Sequence, residues 1–217
     1  ETELVDRHLG RILQKIDDLA LWDDSIVVVT SDHGTSLGEH NRTGKSNICD
    51  HDERYWPIYP EVGHVPFLIA GGDIPRGISL DMLAQPVDIQ PTLSDLADIE
   101  LDPPEAFDGR SFATALLESR PDHRDLAVTG TFVRPGDEGR LPAKCVTPWV
   151  TDGRWGLAPV GAAGTPELYD IVADPFAEDD VAAANADVVR GLCEGLAAHL
   201  GEHNAPDELI DSLNGEP

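Results

Sequence analysis

Ile26-Val27-Val28-Val29-Thr30-Ser31-Asp32-His33-Gly34 is the stretch that decides how the rest of this chain is read. Four consecutive β-branched residues form a run too short for a helix, and an unbroken apolar run of that length predicts a strand covered on both faces, as in a parallel sheet. Asp23 and Asp24 supply the turn before it. Upstream, Leu4, Val5, Leu9, Ile12, Leu13, Ile16 and Leu19 recur at the spacing of an amphipathic surface helix. Downstream, residues 65–70 predict a second buried strand, with Pro66 near its start, where a missing backbone donor is tolerated.

Between the two strands, residues 32–64 are polar, rich in Gly, His, Asn, Asp and Pro, and without periodicity. A compact domain seldom keeps so long a loop without a use for it. Residues 88–98 predict a helix with Pro91 in its first turn, and residues 111–117 a shorter one. Beyond Pro121 the pattern changes to short extended pieces at residues 126–132, 145–151, 154–157 and 168–171, which predict a small antiparallel sheet. An Ala-rich helix over residues 181–200 and a frayed tail end the chain. The expected fold class is α/β: part of a mainly parallel sheet flanked by helices in residues 1–120, then a small antiparallel sheet packed with a C-terminal helix in residues 121–217.

The formal net charge is −26, from 41 Asp and Glu against 15 Lys and Arg. Lys15, Lys45 and Lys144 are the only lysines. Dense carboxylates repel one another at low ionic strength, whereas concentrated counterions screen them, so the composition suggests a salt-rich, halophilic habitat. The same surface repels nucleic-acid phosphates and anionic headgroups, which argues against nucleic acid and membrane as partners. No apolar run approaches the length needed to cross a bilayer. Cys49, Cys145 and Cys193 are odd in number and widely spaced, giving neither a disulfide framework nor a close zinc pair. Free thiols and a cytoplasmic location are expected, no secretory signal being visible. The sequence sets no oligomeric state.

Asp32 and His33 fall at the carboxyl end of the first strand, where open α/β sheets place their ligand sites. Asp supplies a hard anionic oxygen, His a neutral nitrogen, and Gly34 a backbone turn that lets neighbouring side chains converge, together half of a metal site. Taken alone, an Asp at a strand end also reads as a turn cap, and a lone His as a surface hydrogen-bonding group. Lys45 stands in the long loop, where a compact ammonium suits a tetrahedral oxyanion and also reads as a solvated side chain. His40, His51 and His64 lie in the same region and read individually as structural or exposed.

Several segments in order resemble one family. They are Val5-Asp6-Arg7-His8-Leu9-Gly10-Arg11-Ile12-Leu13, then Trp22 through Gly34, then Leu37-Gly38-Glu39-His40. After these come His64-Val65-Pro66-Phe67-Leu68-Ile69, Val87 through Ala97 with Asp88-Ile89-Gln90-Pro91-Thr92, and Glu167-Leu168-Tyr169-Asp170 with Asp174-Pro175. The series is similar to the C-terminal half of sulfatases, within the alkaline phosphatase superfamily, and covers nearly the whole chain. On this resemblance residues 1–120 are the C-terminal part of the catalytic domain and residues 121–217 a small subdomain.

The resemblance implies metal roles for Asp32 and His33, with calcium the expected cation and manganese or zinc compatible. It implies a catalytic, sulfate-contacting role for Lys45, with residues 46–62 reading as an insertion and His64 standing where many relatives carry Arg. The implied substrate is a small-molecule sulfate ester, or a phosphate ester in a phosphodiesterase or phosphonate monoester hydrolase. Sulfatases oxidise the Cys or Ser of a Cys/Ser-x-Pro-x-Arg motif to make their nucleophile, and Cys49, Cys145 and Cys193 all lie outside such a motif. The expectation is one half of a split site, or a truncated noncatalytic relative.

Overall fold

The computed structural model describes residues 2–44, 56–101, 107–130 and 147–213. The chain forms two compact units, one of Glu1–Ser31 with Pro66–His123 and one of Asp32–Val65 with Arg124–Pro217.

In the first unit, helix α1 (Thr2–Asp18) carries the predicted apolar stripe, yet none of its residues is buried. Leu4, Val5, Ile12 and Leu19 are all more than half exposed. Strand β1 (Val27–Thr30) pairs antiparallel with β4 (Phe67–Ala70) in the register Val27↔Ala70 to Thr30↔Phe67. This differs from the expected mainly parallel sheet, because a β-branched run reports burial and carries no information on the direction of its neighbour. Burial is also lower than expected: β1 is half covered, and Leu68 of β4 is 61% exposed. Gly71 follows β4 at φ +111°, and a Cβ there would lie 1.9 Å from the Ser25 carbonyl oxygen, so the close approach of the segments flanking β1 and β4 requires glycine.

Helices α3 (Ile89–Leu96) and α4 (Ala113–Glu118) complete this unit. Phe112, Ala115 and Leu116 pack with Ile69, Leu80, Met82 and Leu96. Asp88, fully buried just before α3, organises the surroundings: its carboxylate accepts from the backbone of Gln85 at 2.8 Å and of Arg110 at 2.8 Å, and meets His123 Nε2 at 3.1 Å.

In the second unit the long polar stretch is not structureless. It contains a hairpin of β2 (Ser36–Leu37) and β3 (Thr43–Gly44) and the short helix α2 (Pro60–Gly63). The extended pieces form the predicted antiparallel sheet, β5 (Ala127–Thr129), β6 (Trp149–Thr151), β7 (Trp155–Ala158) and β8 (Glu167–Asp170), in sequence order.

Alternation along these strands separates two cores. Val150, Leu157 and Leu168 pack on Leu192, Leu196 and Leu200 of helix α5 (Ala186–Glu202). Trp149, Ala158 and Tyr169 face the other way, onto Ile58, Tyr59, Val62 and Ala177. Gly156 is bare because a Cβ would lie 2.0 Å from the Trp149 ring. The expected frayed tail is instead a further helix, α6 (Asp207–Leu213), which buries Leu213 in the α5 core.

Candidate metal centre

Asp32 and His33 follow β1 after the single residue Ser31 and lie in the second unit. Their side chains come together: His33 Nε2 stands 3.3 Å from Asp32 Oδ2. Asp32 Oδ1 also accepts from the His33 backbone N–H at 3.0 Å, the turn-capping contact that the sequence left open. Asp32 is 83% exposed and His33 36% exposed at the side chain.

His33 Nδ1 lies 2.8 Å from the Gly34 carbonyl oxygen. A carbonyl only accepts, so Nδ1 carries the proton and Nε2 is the nitrogen turned toward Asp32. A ligating histidine has this arrangement, its far ring nitrogen donating to the backbone and fixing the ring.

The donor spacing fits a cation. Two ligand atoms at right angles on one divalent ion, each about 2.1–2.4 Å from it, lie roughly 3.0–3.4 Å apart. Asp32 Oδ2 and His33 Nε2 match that spacing. Among the described residues no group of three or more His, Cys, Asp and Glu side chains is gathered as a metal site, and the geometry brings together two candidate donors, Asp32 and His33. Lys45, the sequence-predicted anion contact, and His51 lie outside the described residues.

Gly34 anchors the motif. Its N–H donates to the Val62 carbonyl of α2 at 2.8 Å, and a Cβ at this position would lie 2.1 Å from the Glu61 carbonyl oxygen. The motif's glycine thus lets the chain pass against α2.

Sequence reasoning missed a second cluster beside it. His40, in the turn between β2 and β3, places Nδ1 2.9 Å from Glu61 Oε1 and Nε2 2.8 Å from the Ala177 carbonyl. Ser36 Oγ donates to the same Glu61 oxygen at 3.0 Å. Tyr59 stacks on the His40 ring with centroids 3.7 Å apart and donates its hydroxyl to Glu167 Oε2 at 2.6 Å. Tyr169 donates to that same oxygen at 3.0 Å.

Burial pushes the His40 pKa down, but the Glu61 and Ala177 hydrogen bonds and the Glu61 and Glu167 charges outweigh it, and the net shift is upward. Burial likewise pushes Glu61 up, and its hydrogen bond with His40 turns the net shift downward. Burial and Glu167 together raise Tyr59. The sequence signal for this cluster was Gly38-Glu39-His40, read as part of a motif without a partner.

His64, which stands where the resemblance puts an Arg in many relatives, ends α2, its backbone N–H donating to Pro60 O at 2.8 Å. In the first unit a cavity of about 1060 Å³ is bordered by Asp23, Asp24, Ile26, Ile89 and Leu93 among others, and its lining includes neither Asp32 nor His33. Among the described residues no helix is long and apolar enough to cross a membrane.

Residues 2–99 match the sulfatase family model. The chain is 32% identical over 117 residues to the multifunctional alkaline phosphatase superfamily protein PehA of Trinickia caryophylli, a match covering 54% of this chain and 21% of that protein. It is 27% identical over 197 residues to Arylsulfatase K of Mus musculus, covering 88% of this chain and 33% of that protein. Its structure is similar to that of the phosphonate monoester hydrolase of Agrobacterium radiobacter, with a TM-score of 0.69 and 28% identity, over 92% of this chain and 39% of the other. The chain therefore spans about a fifth to a third of the length of these two curated relatives. The matches liken residues 2–99 to the sulfatase family, and the similar proteins include an arylsulfatase and a member of the alkaline phosphatase superfamily.

Proposed function

We propose that this chain is part of a metal-dependent sulfuric ester hydrolase of the arylsulfatase type, to which it contributes two cation ligands, Asp32 and His33, and an anion contact, Lys45. The observation that carries this reading is the meeting of Asp32 Oδ2 and His33 Nε2 at 3.3 Å with His33 Nδ1 committed to the Gly34 carbonyl. Asp32 offers a hard anionic oxygen, for which calcium is the first choice of ion, and the imidazole keeps manganese and zinc compatible.

When bound, the cation supplies positive charge to the oxygens of the transferred group. Asp32 supplies anionic charge at the carboxyl end of the motif, and His33 is oriented by Gly34. Gly34 in turn is fixed by its hydrogen bond to Val62 of α2. Lys45 neutralises charge on the sulfuryl oxygens as it develops. On this reading the attacking group is a hydrated formylglycine made from a Cys/Ser-x-Pro-x-Arg motif, which Cys49, Cys145 and Cys193 do not match. On this reading β1 and β4 belong to a larger, mainly parallel sheet, which accounts for their incomplete cover. The net charge of −26 supports a high-salt habitat, and Cys193, a free thiol, is compatible with a reducing cytoplasm.

A second reading, a phosphonate monoester hydrolase or phosphodiesterase, is favoured by the 28% identity and 0.69 TM-score to the Agrobacterium radiobacter enzyme. Both readings are tested by assaying this chain and a longer form carrying the nucleophile motif against matched aryl sulfate, phosphodiester and phosphonate monoester, with and without chelator. The expected result is no turnover by the chain alone and chelator-sensitive sulfate hydrolysis by the longer form. Faster phosphonate or phosphodiester cleavage supports the second reading. Turnover by the chain alone contradicts the split-site account.

A further inference from the structure

His40 is held in a way that fixes its protonation state. Nδ1 faces a carboxylate oxygen of Glu61 at 2.9 Å, and Nε2 faces the Ala177 carbonyl at 2.8 Å. Neither acceptor carries a proton to give, so both ring nitrogens must donate, and only the imidazolium does that. The ring is covered on one face by Tyr59, stacked at 3.7 Å and 4°. The side chains of His40 and Glu61 are 14% and 13% exposed.

The backbone beneath this ring is strained. His40 and Asn41 both have positive φ, 51° and 55°, in consecutive residues that are neither glycine. L-residues occupy that region at a cost, and they persist there only where surrounding contacts hold them. The bonds from His40 to α2 and to Ala177 span 21 and 137 residues of sequence and tie the hairpin turn to two other elements.

We infer that His40 is a protonation-dependent clamp, an imidazolium that pins the β2–β3 turn to Glu61 and Ala177 and releases one of those bonds on losing its proton. The groups facing it are Glu61 of α2, Tyr59 just before α2, Glu167 of β8, and the Ala177 carbonyl. Arg42, two residues further along the chain, is stacked over the Trp56 ring at 4.4 Å. When His40 becomes neutral, one ring nitrogen turns a lone pair toward an oxygen, and attraction there becomes repulsion. The turn then loses a charge-assisted tie, and the left-handed pair His40 and Asn41 loses what holds it. Since the hairpin lies between the Asp32-His33 motif and Lys45 in sequence, the clamp makes the order of this loop depend on pH. The inference concerns the loop alone and stands whether or not the chain serves ester hydrolysis.

The test is nitrogen-15 NMR of the histidine rings in the intact chain in high salt, assigned through the His40 backbone, combined with hydrogen exchange at the Asn41 and Arg42 amides. Both ring nitrogens of His40 are expected to be protonated at neutral pH. Exchange at the two amides, corrected for its intrinsic pH dependence, is expected to rise about tenfold as His40 titrates, the effect of losing one hydrogen bond to a charged group. Glu61→Gln keeps an acceptor without the charge and is expected to lower the pH at which His40 titrates. A singly protonated ring at neutral pH, amide protection that ignores the His40 titration, or an unchanged titration in Glu61→Gln each overturns the clamp.

Discussion

Two aspartate–histidine pairs, one in each unit, show how the same two residue types serve different ends. Asp88 and His123 are 0% and 3% exposed at the side chain, and Asp32 and His33 are 83% and 36% exposed. Asp88 is surrounded by backbone donors, with the Gln85 and Arg110 amides both at 2.8 Å, so its carboxylate is committed to holding chain segments together. Asp32 spends one oxygen on the neighbouring amide and presents the other to His33 Nε2. Burial with saturated partners makes a structural clasp. Exposure with converging donors is the arrangement we propose for holding a cation at Asp32 and His33.

The largest expected effect breaks the clasp. Asp88→Ala removes the acceptor for two backbone amides and for His123 in a fully buried position, and is expected to cost about 3–5 kcal/mol, read from chemical unfolding in high salt. A cost below about 1 kcal/mol, the scale of a single ordinary hydrogen bond, would mean Asp88 is not the organiser described. Gly34→Ala comes next. The added methyl meets the Glu61 carbonyl oxygen at 2.1 Å, so the loop must shift off α2 at about 1–3 kcal/mol.

His40→Ala leaves the buried Glu61 oxygen with Ser36 as its remaining donor and is expected to destabilise by about 1–3 kcal/mol at neutral pH. The pH dependence has a definite sign. His40 is raised in the folded protein, so its contribution is complete below its unfolded value and is lost as pH rises through the folded value. Glu61 is lowered, so its contribution is complete above its unfolded value and is lost as pH falls through the folded value. The pair therefore stabilises a window bounded by those two folded values, and the difference in unfolding stability between wild type and His40→Ala should narrow on both sides of it. The smallest stability effect belongs to Asp32→Ala, expected to lie within about 0.5 kcal/mol because the side chain is mostly in solvent. A thermal melt distinguishes that outcome from a structural role.

The same contrast explains what the sequence disclosed. Short extended pieces punctuated by Gly and Pro made the four-stranded sheet readable, whereas the split of its apolar residues between two cores emerged only on folding, because both neighbours in Trp149-Val150, Leu157-Ala158 and Leu168-Tyr169 are apolar. The β-branched run disclosed β1 and withheld the direction of β4, because hydrophobicity reports cover and not orientation. The β2–β3 hairpin, two residues per strand, is too short to show a period, and α6, at seven residues, spans barely two turns of helix.

At the site, Asp32, His33 and Gly34 were legible because they are adjacent. The His40 cluster was not, since its partners lie 21 and 137 residues away and only folding brings them together. The glycine was recognised as a turn, whereas its actual constraint is the close passage of α2.

Calorimetric titration of calcium, in molar salt, into a polypeptide that joins a sulfatase nucleophile motif to this chain, and into its Asp32→Ala/His33→Ala double variant, tests the central claim most directly. The account predicts saturable binding by the parent protein and loss of that binding in the variant, with its melting temperature preserved. Equal binding by a folded double variant, or no divalent-ion binding by the parent, contradicts it.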